Sequence, residues 1–349
     1  MEISRPPVVA ILGHVDHGKT TLLDYLRKSR ITAKEHGGIT QKIGAYEVST
    51  DIKGYKVNKL TFIDTPGHEA FTKLRARGAT VADIAILIID GKDSVMPQTE
   101  ESIAHIKAAK IPFVVAINKT DLPDANPEKV KNDLLKHEVQ VEEKGGNVPV
   151  ALISAKTGKG VKELLETILL LSTDLNLNYK VESPLKAFVI ETKKDKRGPI
   201  ASVIVKDGQI KVGDTVYCEG KTVKIRALIN DLGKNLNIAY PSTPCEILGF
   251  SELPRLGSLL TSIKTELTEA PSAVKTSKSA PFSLETILEV PSEEKKLYLI
   301  VKADSEGSLE AITASLANKS NVEIVHSAVG TISKSDVFLA KTTKSIIIG

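Results

Sequence analysis

The chain has 349 residues, of which 41% are hydrophobic and 26% are charged, a balance typical of folded globular proteins rather than disordered ones. At roughly 150 residues per domain, this length predicts two or three domains. A formal net charge of +4 is too small to indicate a nucleic-acid-binding protein, and 4% aromatic residues without Trp argue against a stacking platform for single-stranded bases.

Residues 1–175 alternate apolar runs with helical patterns. The apolar runs are short, rich in β-branched residues and apolar throughout, which is typical of strands in a sheet that is covered on both faces. The predicted strands are 8–12, 60–63, 84–89, 113–117 and 148–153, and the predicted helices are 19–28, 98–110, 127–136 and 161–171. This alternation predicts a doubly wound, mainly parallel α/β sheet whose ligand binds beyond the carboxyl ends of the strands.

The pattern changes after residue 172. Short strands separated by Gly, Asp and Pro turns fill residues 183–263 and predict a small antiparallel β-barrel. Residues 180–264 carry 14 Lys and Arg against 9 Asp and Glu, a net charge of +5. This excess indicates either a surface that binds a polyanion or a basic face that is merely solvated. A strand, helix and strand pattern returns at 297–326, and a last strand is predicted at 345–348.

These changes predict an α/β domain at 1–175, a β-barrel domain at 176–264, a linker at 265–295 and a partial α/β domain at 296–349, truncated at its C-terminus. The two cysteines, Cys218 and Cys245, fit no metal-ligand spacing and are expected to be small buried residues. No apolar run approaches the ~20 residues that span a bilayer, and no signal-peptide pattern precedes the first strand. We therefore expect a cytoplasmic protein that makes no membrane contact.

The first chemical motif is a P-loop, or phosphate loop, at 13–20 (Gly-His-Val-Asp-His-Gly-Lys-Thr), between a predicted strand and a predicted helix. Its glycines let backbone amides curl around phosphate oxygens, and the helix N-terminus favours negative charge. Lys19 would reach the β- and γ-phosphates and offset charge during phosphoryl transfer, and the Thr20 hydroxyl would be a Mg²⁺ ligand. We predict nucleotide contacts at Gly13, Val15, Asp16, His17, Gly18, Lys19, Thr20 and Thr21.

A second motif, Asn118-Lys119-Thr120-Asp121 at the end of a predicted strand, predicts which base is bound. The Asp121 carboxylate can accept hydrogen bonds from guanine N1–H and the N2 amine, whereas adenine would leave it unpaired. Asn118 can bridge the guanine edge and the phosphate loop, and the Lys119 stem can pack over the ring. The amides of Ser154-Ala155-Lys156 can donate to guanine O6. Together the motifs predict a site for GTP or GDP with Mg²⁺ and disfavour an ATP-dependent enzyme.

Two further segments are placed to sense the γ-phosphate. In 64–68 (Asp-Thr-Pro-Gly-His), Asp64 would hold Mg²⁺ through water and the Gly67 amide would contact the γ-phosphate. In the loop around Thr40, that hydroxyl would be a second ligand to Mg²⁺. Both loops would be ordered by the γ-phosphate and released on hydrolysis. His68 stands one residue beyond the γ-phosphate contact and is predicted to orient the attacking water.

These segments, in this order, resemble the translational GTPases. A second set of segments resembles the bacterial translation initiation factor 2 family, and it spans all three predicted domains. It comprises 37–41 (GGITQ), 43–46 (IGAY), 71–78 (FTKLRARG), 95–99 (VMPQT), 197–199 (RGP) and 299–311 (LIVKADSEGSLEA). The resemblance covers nearly the whole chain.

The resemblance implies a GTPase that promotes initiator-tRNA placement and ribosomal subunit joining, and that is released after ribosome-stimulated hydrolysis. It also implies that Val15 and Ile39 form an apolar gate near His68 and that Asp16 helps to hold a monovalent cation. The barrel would contact ribosomal RNA, in agreement with its charge. The candidates for phosphate contacts there are Lys193, Lys194, Lys196 and Arg197. We expect a monomer whose partner is the ribosome.

Some features depart from the family pattern. The large N-terminal extension is missing, and so is the C-terminal barrel that holds initiator tRNA in the family, so we expect this chain not to bind initiator tRNA unaided. Residues 90–94 depart from the usual acidic turn, and we expect this to affect no nucleotide contact. Two alternatives stay open. One is an elongation-type translational GTPase, which the αβ pattern after residue 296 disfavours; the other is a nucleotide-gated ribosome-binding module with negligible hydrolysis.

Overall fold

The computed structural model describes residues 2–27, 44–64, 78–264, 296–317 and 319–349. The predicted linker at 265–295 lies outside the described residues. Three structural units follow one another along the chain, two of them α/β and the middle one all-β. Within the described ranges, no helix is both long enough and apolar enough to cross a membrane.

The first unit is built on a six-stranded sheet. The first strand of the chain, β1 (Glu2–Ser4), lies outside this sheet. The six strands of the sheet are β2 (Val8–Gly13), β3 (Gly44–Ser49), β4 (Lys59–Asp64), β5 (Ile84–Asp90), β6 (Phe113–Asn118) and β7 (Val150–Leu152). The order is β3-β4-β2-β5-β6-β7, and all neighbours are parallel except β3 and β4. The predicted doubly wound, mainly parallel sheet is confirmed. The sequence does not predict β3, because its side chains are mostly half-buried and form no continuous apolar run.

Helices cover both faces of this sheet. They are α1 (Lys19–Arg27), α2 (Pro97–Ala109), α3 (Pro127–Lys136) and α4 (Val161–Asp174). Val9 and Ile11 of β2 share one core with α1 and α4, whereas the alternate residues Ala10 and Leu12 share another with α2 and α3. Because successive side chains of a strand point to opposite faces, β2 must be apolar at every position to be buried on both. This explains why the strand reads as a continuous apolar run.

The second unit is an antiparallel β structure. Its strands are β9 (Lys186–Asp195), β10 (Gly198–Asp207), β12 (Thr215–Cys218), β13 (Lys221–Lys224), β14 (Ala227–Asn230), β15 (Asn235–Leu236), β17 (Pro244–Leu248) and β18 (Leu259–Thr261). The separate pairs are β11 (Ile210–Lys211) with β16 (Ile238–Ala239), and β1 with β8 (Asn178–Lys180). The sheet order is β13-β12-β18-β9-β10-β17-β14-β15. Val223 of β13 and Leu228 of β14, near opposite ends of this order, share one core, so the sheet curls around it.

Both cysteines lie in this second core. Cys218 and Cys245 are buried free thiols, so their predicted burial is confirmed. Burial raises the pKa of each thiol to about 12. Both therefore stay protonated at neutral pH and act as small apolar side chains rather than nucleophiles or metal ligands.

The third unit is a small parallel α/β structure. In it β19 (Leu297–Ala303) lies between β20 (Val322–Val329) and β21 (Ile346–Ile348), and its helices are α5 (Glu306–Ala317) and α6 (Lys334–Thr343). Helix α6 begins with a capping box, in which Asp336 accepts bonds from the backbone and hydroxyl of Ser333, both at 2.7 Å. Hydrogen bonds from the Ser333 backbone and hydroxyl, followed by one from Lys302, lower the pKa of Asp336 to about 2. The cap therefore holds above about pH 4 and is lost as the pH falls toward 2.

A buried ionic cluster joins the first and second units. The Arg5 guanidinium bonds Asp83 through two nitrogens, at 2.6 and 2.8 Å, and the Lys206 ammonium lies 2.6 Å from the same carboxylate. Arg5 also donates to the Ser242 hydroxyl at 3.2 Å, which in turn donates to the Pro6 carbonyl at 2.5 Å. Arg5 and Asp83 belong to the first unit, and Lys206 and Ser242 to the second. The Asp83 carboxylate therefore forms ion pairs with cations from both units.

Candidate functional site

The carboxyl edge of the first sheet gathers the predicted site residues that the structure describes. Strands β2, β5, β6 and β7 run parallel, so the segments that follow them emerge at one edge. The phosphate loop follows β2, Asp90 ends β5, Asn118 ends β6, and residues 154–156 follow β7. Asp64 ends β4 at the same edge and is buried. Segments separated by up to about 140 positions in the chain thus meet in one cleft, as expected for a doubly wound sheet.

The phosphate loop depends on its two glycines. Gly13 has a φ of +147°, and a Cβ there would lie 2.3 Å from the Ile88 carbonyl oxygen. Gly18 has a φ of +95°, and a Cβ there would meet the Asn118 side-chain nitrogen, also at 2.3 Å. Both the backbone conformation and the close approach therefore exclude any larger residue. The loop runs directly into α1, whose N-terminal amides and dipole favour an anion.

Lys19 and Thr20 begin α1 and are buried. The Lys19 ammonium donates to the carbonyls of Gly13 and His14, at 3.0 and 2.5 Å, so it lies across the phosphate loop. A glycine-walled loop with a lysine ammonium inside it fits a di- or triphosphate. In the described ranges no three His, Cys, Asp or Glu residues form a metal-binding group. Thr20 and Asp64, the two described residues predicted to hold Mg²⁺, are both buried at this edge, and their roles stay predictions; Mg²⁺ commonly binds through one or two carboxylates together with phosphate oxygens and water.

Asn118 ties the phosphate loop to the segment after β7. Its side-chain nitrogen donates to the His17 carbonyl at 2.8 Å, and its side-chain oxygen accepts from the Ala155 amide at 2.8 Å. Because one partner is an acceptor and the other a donor, the orientation of the amide is unambiguous. The bridge to the phosphate loop is therefore present in the structure, whereas the predicted contact of Asn118 with guanine stays a prediction.

Asp121 is exposed beside this bridge, whereas the neighbouring Ser154 is fully buried. The Ser154 hydroxyl donates to the Asp121 carboxylate and lowers its pKa, with a smaller contribution from the Lys156 charge. A carboxylate that is ionised at neutral pH and open to the cleft can accept two hydrogen bonds from a ligand. This is the chemistry that recognition of the guanine edge requires.

His17 is buried within the loop, 1% exposed. Its ring lies 5.1 Å from that of His14, edge to face. Burial, followed by the nearby His14 and Lys19 charges, lowers the pKa of His17 to about 4. The ring is therefore neutral at pH 7 and contributes no positive charge to a phosphate site.

Two contacts at this edge involve residues that the sequence does not assign to the site. The Gln98 side chain accepts from the Val15 amide at 2.8 Å and so ties the phosphate loop to the first turn of α2. The Asp90 carboxylate lies 2.6 Å from the Lys119 ammonium. The turn at 90–94, expected from the sequence to affect no nucleotide contact, therefore pairs through Asp90 with a residue that is predicted to bind the base. Its position at the carboxyl end of a strand is the signal that could have identified it.

Several predicted site residues lie outside the described residues. They are Ile39, Thr40, Gly67 and His68. Their roles stay predictions. Thr21 and Asp16 are described, and both are exposed; Asp16 has a φ of +62° within the phosphate loop.

Comparisons with known proteins match each unit separately. Residues 5–173 match the family "Elongation factor Tu GTP binding domain", residues 184–263 match "Elongation factor G domain 2", and residues 273–349 match "Translation-initiation factor 2". The first family therefore covers the edge that carries the phosphate loop, and the third covers the small parallel unit.

Solved structures resemble the chain over different lengths. GDP-bound aIF5B from Aeropyrum pernix is 30% identical over 98% of this chain, with a TM-score of 0.60. A bacterial selenocysteine-specific elongation factor, EF-Sec, is 26% identical over 74% of this chain and 45% of its own, with a TM-score of 0.57. Elongation factor SelB from Methanococcus maripaludis, in complex with the GTP analogue GPPNHP, is 24% identical over 75% of this chain and 56% of its own, with a TM-score of 0.58. At this sequence identity the likeness supports the fold alone. The chain spans 66% of the length of the archaeal aIF5B chain.

Proposed function

Because the chain has the three-unit architecture of the translational GTPases, we propose that it binds GTP and GDP with Mg²⁺ and hydrolyses GTP as a translation initiation factor. The observation that carries the proposal is the glycine-walled phosphate loop, tied through Asn118 to the segment beside Asp121. In support, GDP is bound by the archaeal relative that matches nearly the whole of this chain. The factor would act on ribosomes in the cytoplasm, as a monomer, at the step where the subunits join around initiator tRNA.

Each described residue of the edge would have a distinct task. Loop amides and the Lys19 ammonium would bind the phosphates and offset the charge that develops as the phosphoryl group transfers. Thr20 and Asp64 would orient Mg²⁺, which supplies further charge stabilisation when it is bound. Asp121 would select guanine, and the Asn118 bridge would fix the distance between the base and phosphate subsites. Asp16, exposed within the loop, is the proposed site for a monovalent cation.

The third unit favours initiation over elongation. It matches the initiation-factor family at 273–349, and its sheet is parallel with helical connections. An elongation-type carrier would have another β-barrel at this position. The likeness to EF-Sec covers only 74% of the chain, whereas the likeness to aIF5B covers 98%.

The second unit would supply the contact with ribosomal RNA. Of its four candidate basic residues, Lys193 pairs with Glu246 at 2.5 Å, and Arg197 pairs with Asp195 at 2.7 Å. Lys194 and Lys196 are exposed. The two exposed lysines are therefore our first candidates for phosphate contacts.

We predict that His68→Ala strongly reduces ribosome-stimulated hydrolysis while GTP binding is retained. Without a side chain to orient the attacking water, stimulated turnover should fall by about 10²–10⁴-fold. The measurement is phosphate release over several turnovers, with and without ribosomes, alongside GTP affinity. His105→Ala, which removes a histidine paired with Glu101 on α2, is the matched control and should keep full turnover.

Loss of GTP affinity in His68→Ala, or unchanged stimulated turnover, would contradict the assigned role. If the parent chain itself released no phosphate on ribosomes, the nucleotide-gated binding module would be favoured over the GTPase.

A further inference from the structure

We propose that Asp90 is a positioning residue for the base-binding side of the site: it anchors the Lys119 ammonium so that the lysine stem forms one wall of the guanine pocket. The proposal rests on the proposed function, since it concerns how that site holds its base. It is carried by a buried carboxylate at the sheet edge, by the ion pair that this carboxylate makes, and by the backbone bonds that fix both partners.

The two oxygens of Asp90 have different partners. Asp90 ends β5 and is 2% exposed, and its register partner on β6 is Asn118. One carboxylate oxygen accepts from the Lys92 amide at 2.8 Å, which closes the turn. The other lies 2.6 Å from the Lys119 ammonium. Burial alone would raise the pKa of Asp90, but the bonds from Lys119 and Lys92 hold it below its usual value. The anchor is therefore an ionised group at neutral pH.

The ion pair sets the course of the lysine side chain. Lys119 follows β6, whereas its ammonium is held at the end of β5. The stem must therefore cross the gap of about 4.8 Å between neighbouring strands, beside Asn118 and at the edge where Asp121 emerges. Lys119 also has a φ of +59°, a strained backbone conformation for a non-glycine residue. With its side chain 35% exposed, the lysine would sample many rotamers without the anchor.

Backbone bonds hold the anchor and the base-binding segment in one rigid turn. The Gly91 amide donates to the Asn118 carbonyl at 2.9 Å, and the Asn126 amide donates to the Gly91 carbonyl at 2.8 Å. A Cβ at Gly91 would lie 3.2 Å from that same Asn118 oxygen, so the turn lies tight against β6. Any ordering of Lys119 by Asp90 is thus present before the nucleotide binds, which reduces the entropy lost on binding.

The test is Asp90→Asn, which keeps an oxygen for the Lys92 amide and removes the negative charge from Lys119. We expect it to weaken GDP and GTP binding by the same factor, about tenfold for a coupling of this kind, measured by calorimetry with Mg²⁺. In ribosome-stimulated hydrolysis KM should rise while kcat is unchanged, and the preference for guanine over xanthine should be kept. Asp124→Asn is the matched control: it removes the exposed Lys92–Asp124 pair of 2.7 Å from the adjacent turn and should change affinity by less than about twofold.

Lys119→Met completes a double-mutant cycle and tests the same contact from its half-buried partner. It should weaken binding by itself, and adding Asp90→Asn to it should cause little further loss. Parent-like affinity in Asp90→Asn or in Lys119→Met would overturn the proposal, and so would additive losses in the double variant. If the parent chain bound neither nucleotide, the proposed function would fail first; if the parent binds and Asp90→Asn binds equally, only this inference fails.

Discussion

Asp121→Asn is expected to weaken GTP binding by about 10²-fold or more, and to make xanthosine triphosphate the preferred ligand. The carboxylate can accept from both N1–H and the N2 amine of guanine, whereas an asparagine amide offers a single acceptor and turns its NH₂ toward a donor. A guanine donor would then be buried without a partner. Xanthine carries a carbonyl at position 2, which the amide nitrogen can reach.

Competition calorimetry with the two triphosphates gives the ratio of affinities directly. Asp121 is exposed at the cleft, with Ser154 donating to its carboxylate, so the substitution would remove the predicted ligand contact and no core contact. Asp124→Asn, three residues away and also exposed, should leave the ratio unchanged. An Asp121→Asn variant with parental base preference would show that some other group reads the base.

Asp83→Ala is expected to lower the free energy of unfolding by about 3–5 kcal/mol. Asp83 is 9% exposed at its side chain and faces Arg5 and Lys206. Those partners hold its pKa below the usual value in spite of burial. Removing the carboxylate leaves two cations buried side by side without a counter-charge, and it removes the bond from the Val8 amide at 2.9 Å. The variant should therefore be less stable, and the contact between the first two units should be weaker.

Urea denaturation followed by circular dichroism measures this effect. Glu252→Ala is the control. It also removes one carboxylate from an ion pair, but Glu252 and its partner Lys221 are both well exposed. It should change stability by less than about 1 kcal/mol. Equal midpoints for the two variants would mean that the buried cluster contributes no more than a surface pair. The pKa of Asp83 predicts a further result: the stability from this cluster should be present above pH ~4 and should be lost as the pH falls below that value.

The sequence predicts the fold class because the pattern of apolar residues within each short segment already indicates a buried parallel strand. Buried parallel strands require apolar side chains on both faces, so β2 and β5 appear as continuous runs, and the phosphate loop marks the transition from strand to helix. The edge strand β3 has only one largely buried position, Val48. Its pairing with β4 arises from tertiary contact and leaves no apolar run to detect.

Contacts between distant segments could not be predicted in the same way. Arg5 meets Asp83 across 78 positions and Ser242 across 237, and charged residues at such separations give no local periodicity. The role of Asp90 could be predicted only in part from the sequence. Its place at the end of a strand indicates the ligand edge, but its pairing with Lys119 depends on β5 and β6 being neighbours in the sheet. The motif residues therefore indicate the chemistry of the site, whereas the residues that orient them require the three-dimensional structure.

Calorimetric titration of the nucleotide-free chain with GTP and with ATP, in the presence of Mg²⁺, tests the guanine site most directly. We expect GTP to bind at least about 10²-fold more tightly than ATP, because adenine leaves the Asp121 carboxylate without its two donors. Equal affinities for the two nucleotides would contradict a guanine-selective pocket at this sheet edge, and with it the proposed GTPase.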